Sequence, residues 1–386
     1  MSDRYDLVVV GAGIHGAGVA QAATAAGYQV LVLEQTAVAA GTSSRSSKLI
    51  HGGLRYLETG RLHLVRESLR ERELLLRLAP TLVRRIPFHI PVYRHSSRGA
   101  LTIRAGLSLY ALLAGLGRAV RFSTVPRREW ADLDGLTLRG LEAVYRYTDA
   151  QTDDAALTRA VMRSAIALGA RLECPARFVA AHATPDDVRI EYATASATHH
   201  CRAGVLINAA GPWINTVLAA VHPQPRVLPV ELVQGAHIMV GGRLARGAYY
   251  VEAGDRRPVF VLPYAEQTLV GTTETAHTGA PGPVRPHASE IAYLQEALAH
   301  YFPTHEVQAL AAYAGLRVLP QAQGAYGARA RDTVLHVDRT VAPRILSIYG
   351  GKLTGYRATA EKVVRRLLAL LPPPTVRANT AELMLA

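Results

Sequence analysis

Residues Tyr5 to Glu34 read YDLVVVGAGIHGAGVAQAATAAGYQVLVLE. Leu7–Val10 is apolar and β-branched, the composition of a strand buried on both faces. Gly11, Gly13 and Gly16 follow in the spacing G-x-G-x-x-G, and a run of small residues then predicts a helix that stops near Gly27. The first glycine turns the chain tightly, the second lets backbone approach a pyrophosphate, and the third lets helix and strand pack closely. The helix N-terminus then faces the anion. Tyr28–Leu33 predicts a second strand. Glu34 closes it, where a carboxylate accepts hydrogen bonds from an adenosine ribose. The pattern points to a dinucleotide and leaves FAD and NAD both open.

The chain has 386 residues, 49% of them hydrophobic, ample for a large core or for two lobes that share it. Cys174 and Cys201 are its two cysteines, which make neither a disulfide framework nor a metal knuckle and fit a reducing cytosol. His199-His200-Cys201 reads as an exposed turn. The start of the chain, with Asp3 and Asp6 flanking Arg4, does not read as a signal peptide. A net charge of +13, carried mostly by arginine, admits nucleic acid, anionic lipid or an anionic small molecule. The arginines are scattered, with no basic block interleaved with aromatics, which argues against nucleic acid. No stretch has the roughly eighteen apolar residues of a spanning helix. The nearest, Ala105–Gly117, lies between Arg104 and Arg118. It predicts a buried helix, with an interfacial helix as the alternative.

Downstream of Glu34 the chain enters a hydroxyl-rich loop, Gly41–Lys48, whose hydroxyls can bond phosphate and ribityl oxygens. Gly52-Gly53 would let backbone approach a flat ring. Arg61–Ala79 predicts an amphipathic helix ended by Pro80. Pro87–Pro91 and Arg121–Val125 read as strands of another sheet. Asp149–Asp154 opens a helix, Ala155–Leu168, with an acidic first turn suited to the helix dipole. Ala176–Ala181, Arg189–Tyr192 and Gly204–Asn208 predict strands, the last running into Ala209-Ala210-Gly211 at a sheet edge where ligands bind. Val259–Pro263 and Thr268–Thr272 predict a hairpin, and Ser289–Phe302 a helix. Arg344–Tyr349 predicts a last buried strand, followed by Gly350-Gly351-Lys352-Leu353-Thr354 and the helix Arg357–Leu371. The expected fold class is α/β, α+β overall. A Rossmann-like nucleotide domain is built from residues 1–86, 145–222 and 340–374. A mainly antiparallel β-sheet substrate domain, residues 87–144 and 223–339, is inserted into it, and residues 375–386 form a tail.

In order along the chain stand TSSRSSKLIHGGLRYLE (Thr42–Glu58), DAQTDDA (Asp149–Ala155), NAAGPW (Asn208–Trp213), QGAHIMV (Gln234–Val240), LVGTTET (Leu269–Thr275), AGLRVLP (Ala314–Pro320) and GGKLTGYR (Gly350–Arg357). With the glycine-rich opening they resemble FAD-dependent glycerol-3-phosphate dehydrogenases, within the D-amino-acid-oxidase-like flavoproteins. The likeness spans nearly the whole chain. It implies a non-covalent FAD and oxidation of sn-glycerol 3-phosphate to dihydroxyacetone phosphate, with hydride transfer to flavin N5. It also implies electrons passed to a membrane quinone, and a cytoplasmic enzyme seated peripherally on the inner membrane. A homodimer is among the assemblies it allows. Carried over by position, FAD would meet Gly11, Gly13, Gly16, Glu34, Thr42, Ser43, Ser46, Lys48, Leu49, Val179, Gly211, Gly351, Leu353 and Thr354. The substrate would meet His51, Arg55, Tyr56, His237, Arg317, Arg331 and Lys352. The sequence departs from the pattern at Gly355, commonly threonine, and at Glu274, usually aspartate. The expectation is a short form without the C-terminal helical domain of fuller members.

The substrate's phosphate is close to a dianion, and arginine grips such oxygens through a planar fork of donors. Arg55, Arg317 and Lys352 fall in three separate motifs, as a pocket between two lobes requires. A base must take the hydroxyl proton, and histidine suits that near neutral pH. His237 is the first candidate and His51 the second. The alternatives are a relative that oxidises a 2-hydroxy acid or an amine, a flavin-binding protein without turnover, and an NAD-dependent enzyme.

Overall fold

A computed structural model describes residues 3–58, 60–115, 121–321 and 333–386 of the chain. Two sheets organise it. In the first, strand Asp3–Val10 lies between Val30–Leu33 and Thr198–Asn208, parallel to both. Leu7, Val8 and Val9 have no exposed surface, which is why this strand is apolar without alternation. Ile345–Tyr349 adds a parallel strand beyond Thr198–Asn208. The pairings put Val10 level with Leu33 and with Asn208, and Asn208 level with Ser347. The loops after four strands therefore open at one edge of the sheet, the position where open α/β sheets bind ligands.

Helix Ile14–Ala25 is buried along nearly its whole length. It can lie close to its neighbours because its residues are small. A Cβ at Gly18 would sit 2.7 Å from the Tyr356 ring, so helix Tyr356–Leu368 packs directly on it. Residues 375–386 are docked, not loose. The backbone N–H groups of Arg377 and Ala378 donate to the Ala25 carbonyl, and Leu385 is buried in the core of this lobe.

The second sheet is antiparallel except where Ala248–Glu252 meets Val83–Tyr93. Its longest ladders join Val83–Tyr93 to Leu141–Thr152, and Val230–Val240 to Ala309–Pro320. Leu294 and Leu298 of helix Ala288–Tyr301 pack into its core. The expected Rossmann-like lobe and antiparallel lobe are both present, with the lobe boundaries displaced. Leu141–Thr152 pairs wholly within the second sheet, beyond the expected boundary at 145, and so does Leu49–Ile50. Val334–Val337 pairs with the first sheet, although it was expected in the inserted lobe.

Two local expectations are corrected. His199, His200 and Cys201 are not in a turn. They lie in strand Thr198–Asn208, where His199 stacks on Tyr192 at 5.1 Å and Cys201 is buried. The partner strand, Val188–Ala193, sets this, and the local composition does not reveal it. Helix Ala100–Leu113 is not buried as a whole. Leu107, Tyr110 and Ala111 face inward, while Leu101 is 81% and Leu112 58% exposed. No helix among the described residues is long and apolar enough to cross a membrane.

Candidate active site

A cavity of about 1250 Å³ lies between the lobes, against the level strand ends. At its nucleotide side, Gly11 has φ +99°, and a Cβ there would come 2.8 Å from the Ala209 carbonyl oxygen. Gly13 lines the cavity. Gly16 does not; a Cβ there would overlap the Gly11 carbonyl oxygen, so this glycine serves helix–strand contact. The Ile14 N–H, at the start of its helix, donates to Ser43 Oγ at 2.9 Å. Glu34 lines the cavity and is held from behind. One carboxylate oxygen accepts from the Ala12 N–H at 2.8 Å, the other from the Thr36 N–H at 2.9 Å. Val179 and Gly211 complete this side.

Thr42, Ser43, Ser46, Ser47 and Leu49 also line the cavity. Several of their polar groups fix the loop to both lobes: the Thr42 hydroxyl donates to the Leu316 carbonyl at 2.6 Å, and the Ser46 N–H donates to Asp154 at 2.8 Å. The side chain of Lys48, expected at the cofactor, turns to other partners. It is buried outside the lining, with Nζ 2.5 Å from Asp154 and 2.9 Å from the Ser44 carbonyl.

At the other side Gly351, Leu353 and Thr354 line the cavity with His51, Tyr56, Arg317 and Lys352. Gly351 has φ +108°, and a Cβ there would strike the His15 ring. Thr354 Oγ1 accepts from the His51 N–H at 3.1 Å. Lys352 Nζ lies 3.7 Å from the Tyr56 ring centroid, a cation–π contact. Arg317 donates to Thr272 Oγ1 at 2.8 Å and lies 3.3 Å from Glu274. Phe260 meets the His51 ring edge-on at 6.1 Å. Arg317, Lys352 and His51 thus stand in a single cavity, whose lining also carries His15, Arg45, Arg98, Arg177, Arg256 and Arg257. The Arg55 side chain and Arg331 lie outside the described residues.

His237 sits behind this wall. It is 1% exposed and outside the lining, with Nε2 2.9 Å from Ser47 Oγ and its ring stacked on Tyr313 at 4.9 Å. Burial, aided by the positive charges of Arg317 and Lys48, lowers its pKa to about 3. The two histidines expected as candidate bases therefore stand in different places. His51 lines the cavity, and His237 contacts the lining residue Ser47. The functional reading of the sequence passed over Ser47, Phe260 and Asp154. Ser47 was legible inside the hydroxyl-rich run; Phe260 carries no local signal.

The folded-state pKa of His237 lies below that of the unfolded chain, so between about pH 6.5 and 3 the unfolded state holds the extra proton. Stability from this group is complete above pH 6.5 and is lost as pH falls. His237→Asn is expected to flatten the acid side of the stability curve by about 1.4 kcal/mol per pH unit. Urea unfolding of both proteins at pH 7, 6 and 5 measures the difference. Parallel curves would refute it.

The residues fit FAD. The first glycine cradle and helix N-terminus suit a pyrophosphate, and the fixed Glu34 suits a ribose. A second glycine-bearing strand end, Gly350–Thr354, opens into the same cavity beyond what the nucleotide motif needs.

Comparison with known proteins agrees. A family model described as FAD dependent oxidoreductase matches residues 6–357. D-erythritol 1-phosphate dehydrogenase of Brucella abortus is 35% identical over 378 residues, covering 96% of this chain and 75% of that protein. Glycerol-3-phosphate dehydrogenase of Pseudomonas aeruginosa is 37% identical over 381 residues, covering 95% and 72%. The solved glycerol-3-phosphate dehydrogenase from Bacillus halodurans, complexed with FAD, superposes with a TM-score of 0.74 at 26% identity, covering 99% of this chain and 68% of that one.

Proposed function

Because the chain belongs to the FAD dependent oxidoreductase family, we propose that it oxidises a small phosphorylated polyol, sn-glycerol 3-phosphate, to dihydroxyacetone phosphate. The observation that carries this reading is the meeting of Arg317, Lys352 and His51 in one cavity with both glycine-bearing strand ends. Bound FAD supplies the acceptor for two electrons and a proton as a hydride. Arg317 and Lys352 hold the phosphate, the arginine through a fork already oriented by Thr272 and Glu274. His51 accepts the proton of the secondary hydroxyl. Its backbone is fixed by Thr354, and Phe260 limits water at its edge. His237 orients Ser47 and stays neutral.

Anaerobic mixing with glycerol 3-phosphate should bleach the flavin, while glycerol and lactate should not. Bleaching by lactate or an amine would replace the substrate class. Preference for D-erythritol 1-phosphate would keep the class and change the member; the Brucella relative motivates that arm. His51→Asn should slow flavin reduction by about 10²–10⁴-fold, the usual worth of a placed base. His237→Asn should slow it far less. The opposite ranking would return the base to His237.

The reading extends to electrons passed to a membrane quinone, with the enzyme peripheral on the membrane. The net charge of +13 and the outward Leu101 and Leu112, beside Arg104, support an anionic lipid surface as the contact.

A further inference from the structure

Residues 46–53 run along the cavity and give it Ser46, Ser47, Leu49 and His51. One unit holds this segment at both ends: the junction Asp149–Asp154, where strand Leu141–Thr152 passes into helix Asp154–Ala167. In the middle, Leu49 and Ile50 pair with Gln151 and Ala150, and the Thr152 N–H donates to the Lys48 carbonyl at 2.9 Å. At the near end, the fully buried Asp154 accepts from the Ser46 N–H at 2.8 Å and pairs with Lys48 at 2.5 Å.

The far end is built from Asp149, Tyr110 and Arg72, each at most 2% exposed and none lining the cavity. The Gly52 N–H donates to the Tyr110 hydroxyl at 2.9 Å and lies 3.4 Å from Asp149. That hydroxyl donates to Asp149 at 2.9 Å, and Arg72 pairs with the same carboxylate at 2.5 Å. Burial pushes the Asp149 carboxyl up, and Arg72 pulls it back down. A Cβ at Gly52 would overlap the Tyr110 hydroxyl, so the contact requires glycine. Two buried carboxylates five residues apart therefore grip two ends of one functional segment, with a short ladder between them.

We propose that the Asp149–Asp154 junction is a two-point clamp whose ends act separately. Asp154 positions Ser46 for FAD. Asp149, through Tyr110, positions Gly52 and hence His51 for substrate. The substrate half rests on the function proposed above; the backbone half does not. A buried N–H that loses its partner costs the full desolvation of that group, so loosening should be local and measurable.

The test compares Tyr110→Phe with Asp154→Asn as holoenzymes, by hydrogen exchange of peptides covering 44–48 and 50–54, by FAD affinity from flavin fluorescence, and by anaerobic reduction with glycerol 3-phosphate. Tyr110→Phe should speed exchange in 50–54 by about tenfold, leave FAD affinity within about twofold, and lower the limiting rate of flavin reduction about tenfold with little change in the substrate concentration that gives half that rate. Asp154→Asn should speed exchange in 44–48, leave 50–54 unchanged, and weaken FAD binding by about tenfold. If Asp154→Asn does not fold, Lys48→Met with Asp154→Leu removes both charges together and is read the same way. Unchanged exchange in 50–54 for Tyr110→Phe, or both variants moving both peptides and FAD affinity alike, would overturn the clamp. A wild-type flavin untouched by glycerol 3-phosphate would defeat the substrate reading, and exchange and FAD affinity would still decide the clamp.

Discussion

An Arg317→Ala protein is expected to keep its FAD and to bind glycerol 3-phosphate more weakly by about 3 kcal/mol, roughly a hundredfold or more. Arg317 lies on strand Ala309–Pro320, opposite Val233, in the antiparallel lobe. Its head is oriented by Thr272 and Glu274 and not by any part of the nucleotide motif. Removing it leaves a desolvated dianion beside Lys352 with one fork missing, while the glycine cradle is untouched. Arg317→Lys should recover only part of the loss, because an ammonium keeps the charge and not the bidentate geometry. Titration of the bound flavin's spectrum with substrate, together with the flavin content of the purified protein, checks both halves. Unchanged affinity would remove Arg317 from the pocket.

A Gly16→Val protein should purify without flavin. A Cβ at position 16 would occupy the place of the Gly11 carbonyl oxygen, so helix Ile14–Ala25 must back away from strand Asp3–Val10. The pyrophosphate turn then opens and its N–H groups diverge. A fall in FAD affinity of about a thousandfold or more is expected, since several charge-assisted bonds fail together. Gly106→Ala is the matched control. A Cβ there meets nothing within 4 Å, and alanine favours the surrounding helix by about 1 kcal/mol. Absorbance at the flavin band relative to protein separates the two. A yellow Gly16→Val protein would show that the turn tolerates the displacement.

The nucleotide lobe was legible because its signals are local. Glycine spacing, an uninterrupted apolar strand and an acid at its end all lie within residues 5–34. Which of the two histidines lines the cavity was not legible. Strand Val230–Val240 is covered on both faces around Ala236 and His237, which are 0% and 1% exposed, so alternation cannot say which side meets the cavity. The side is set by cross-strand neighbours, Gly271 and Tyr313, far away in sequence. The inward turn of the Lys48 side chain was not legible for a similar reason. Its φ of +60° and the distant Asp154 turn the ammonium inward, and a basic residue in a hydroxyl-rich loop gives no warning of that. Asp149 read as part of a helix start, whereas it lies within a strand of the other sheet. In each case the missing information is a pairing between remote residues, not a local preference.

The cavity wall draws on both sheets, so any molecule seated there is bound by the native arrangement and by neither half in isolation. Linkage then makes heat resistance a readout of occupancy: saturating FAD at about a hundred times its dissociation constant adds about 2.7 kcal/mol. The melting temperature should rise with the logarithm of added flavin nucleotide. A scan of that kind would report cofactor loading in a crude preparation, before any substrate is identified.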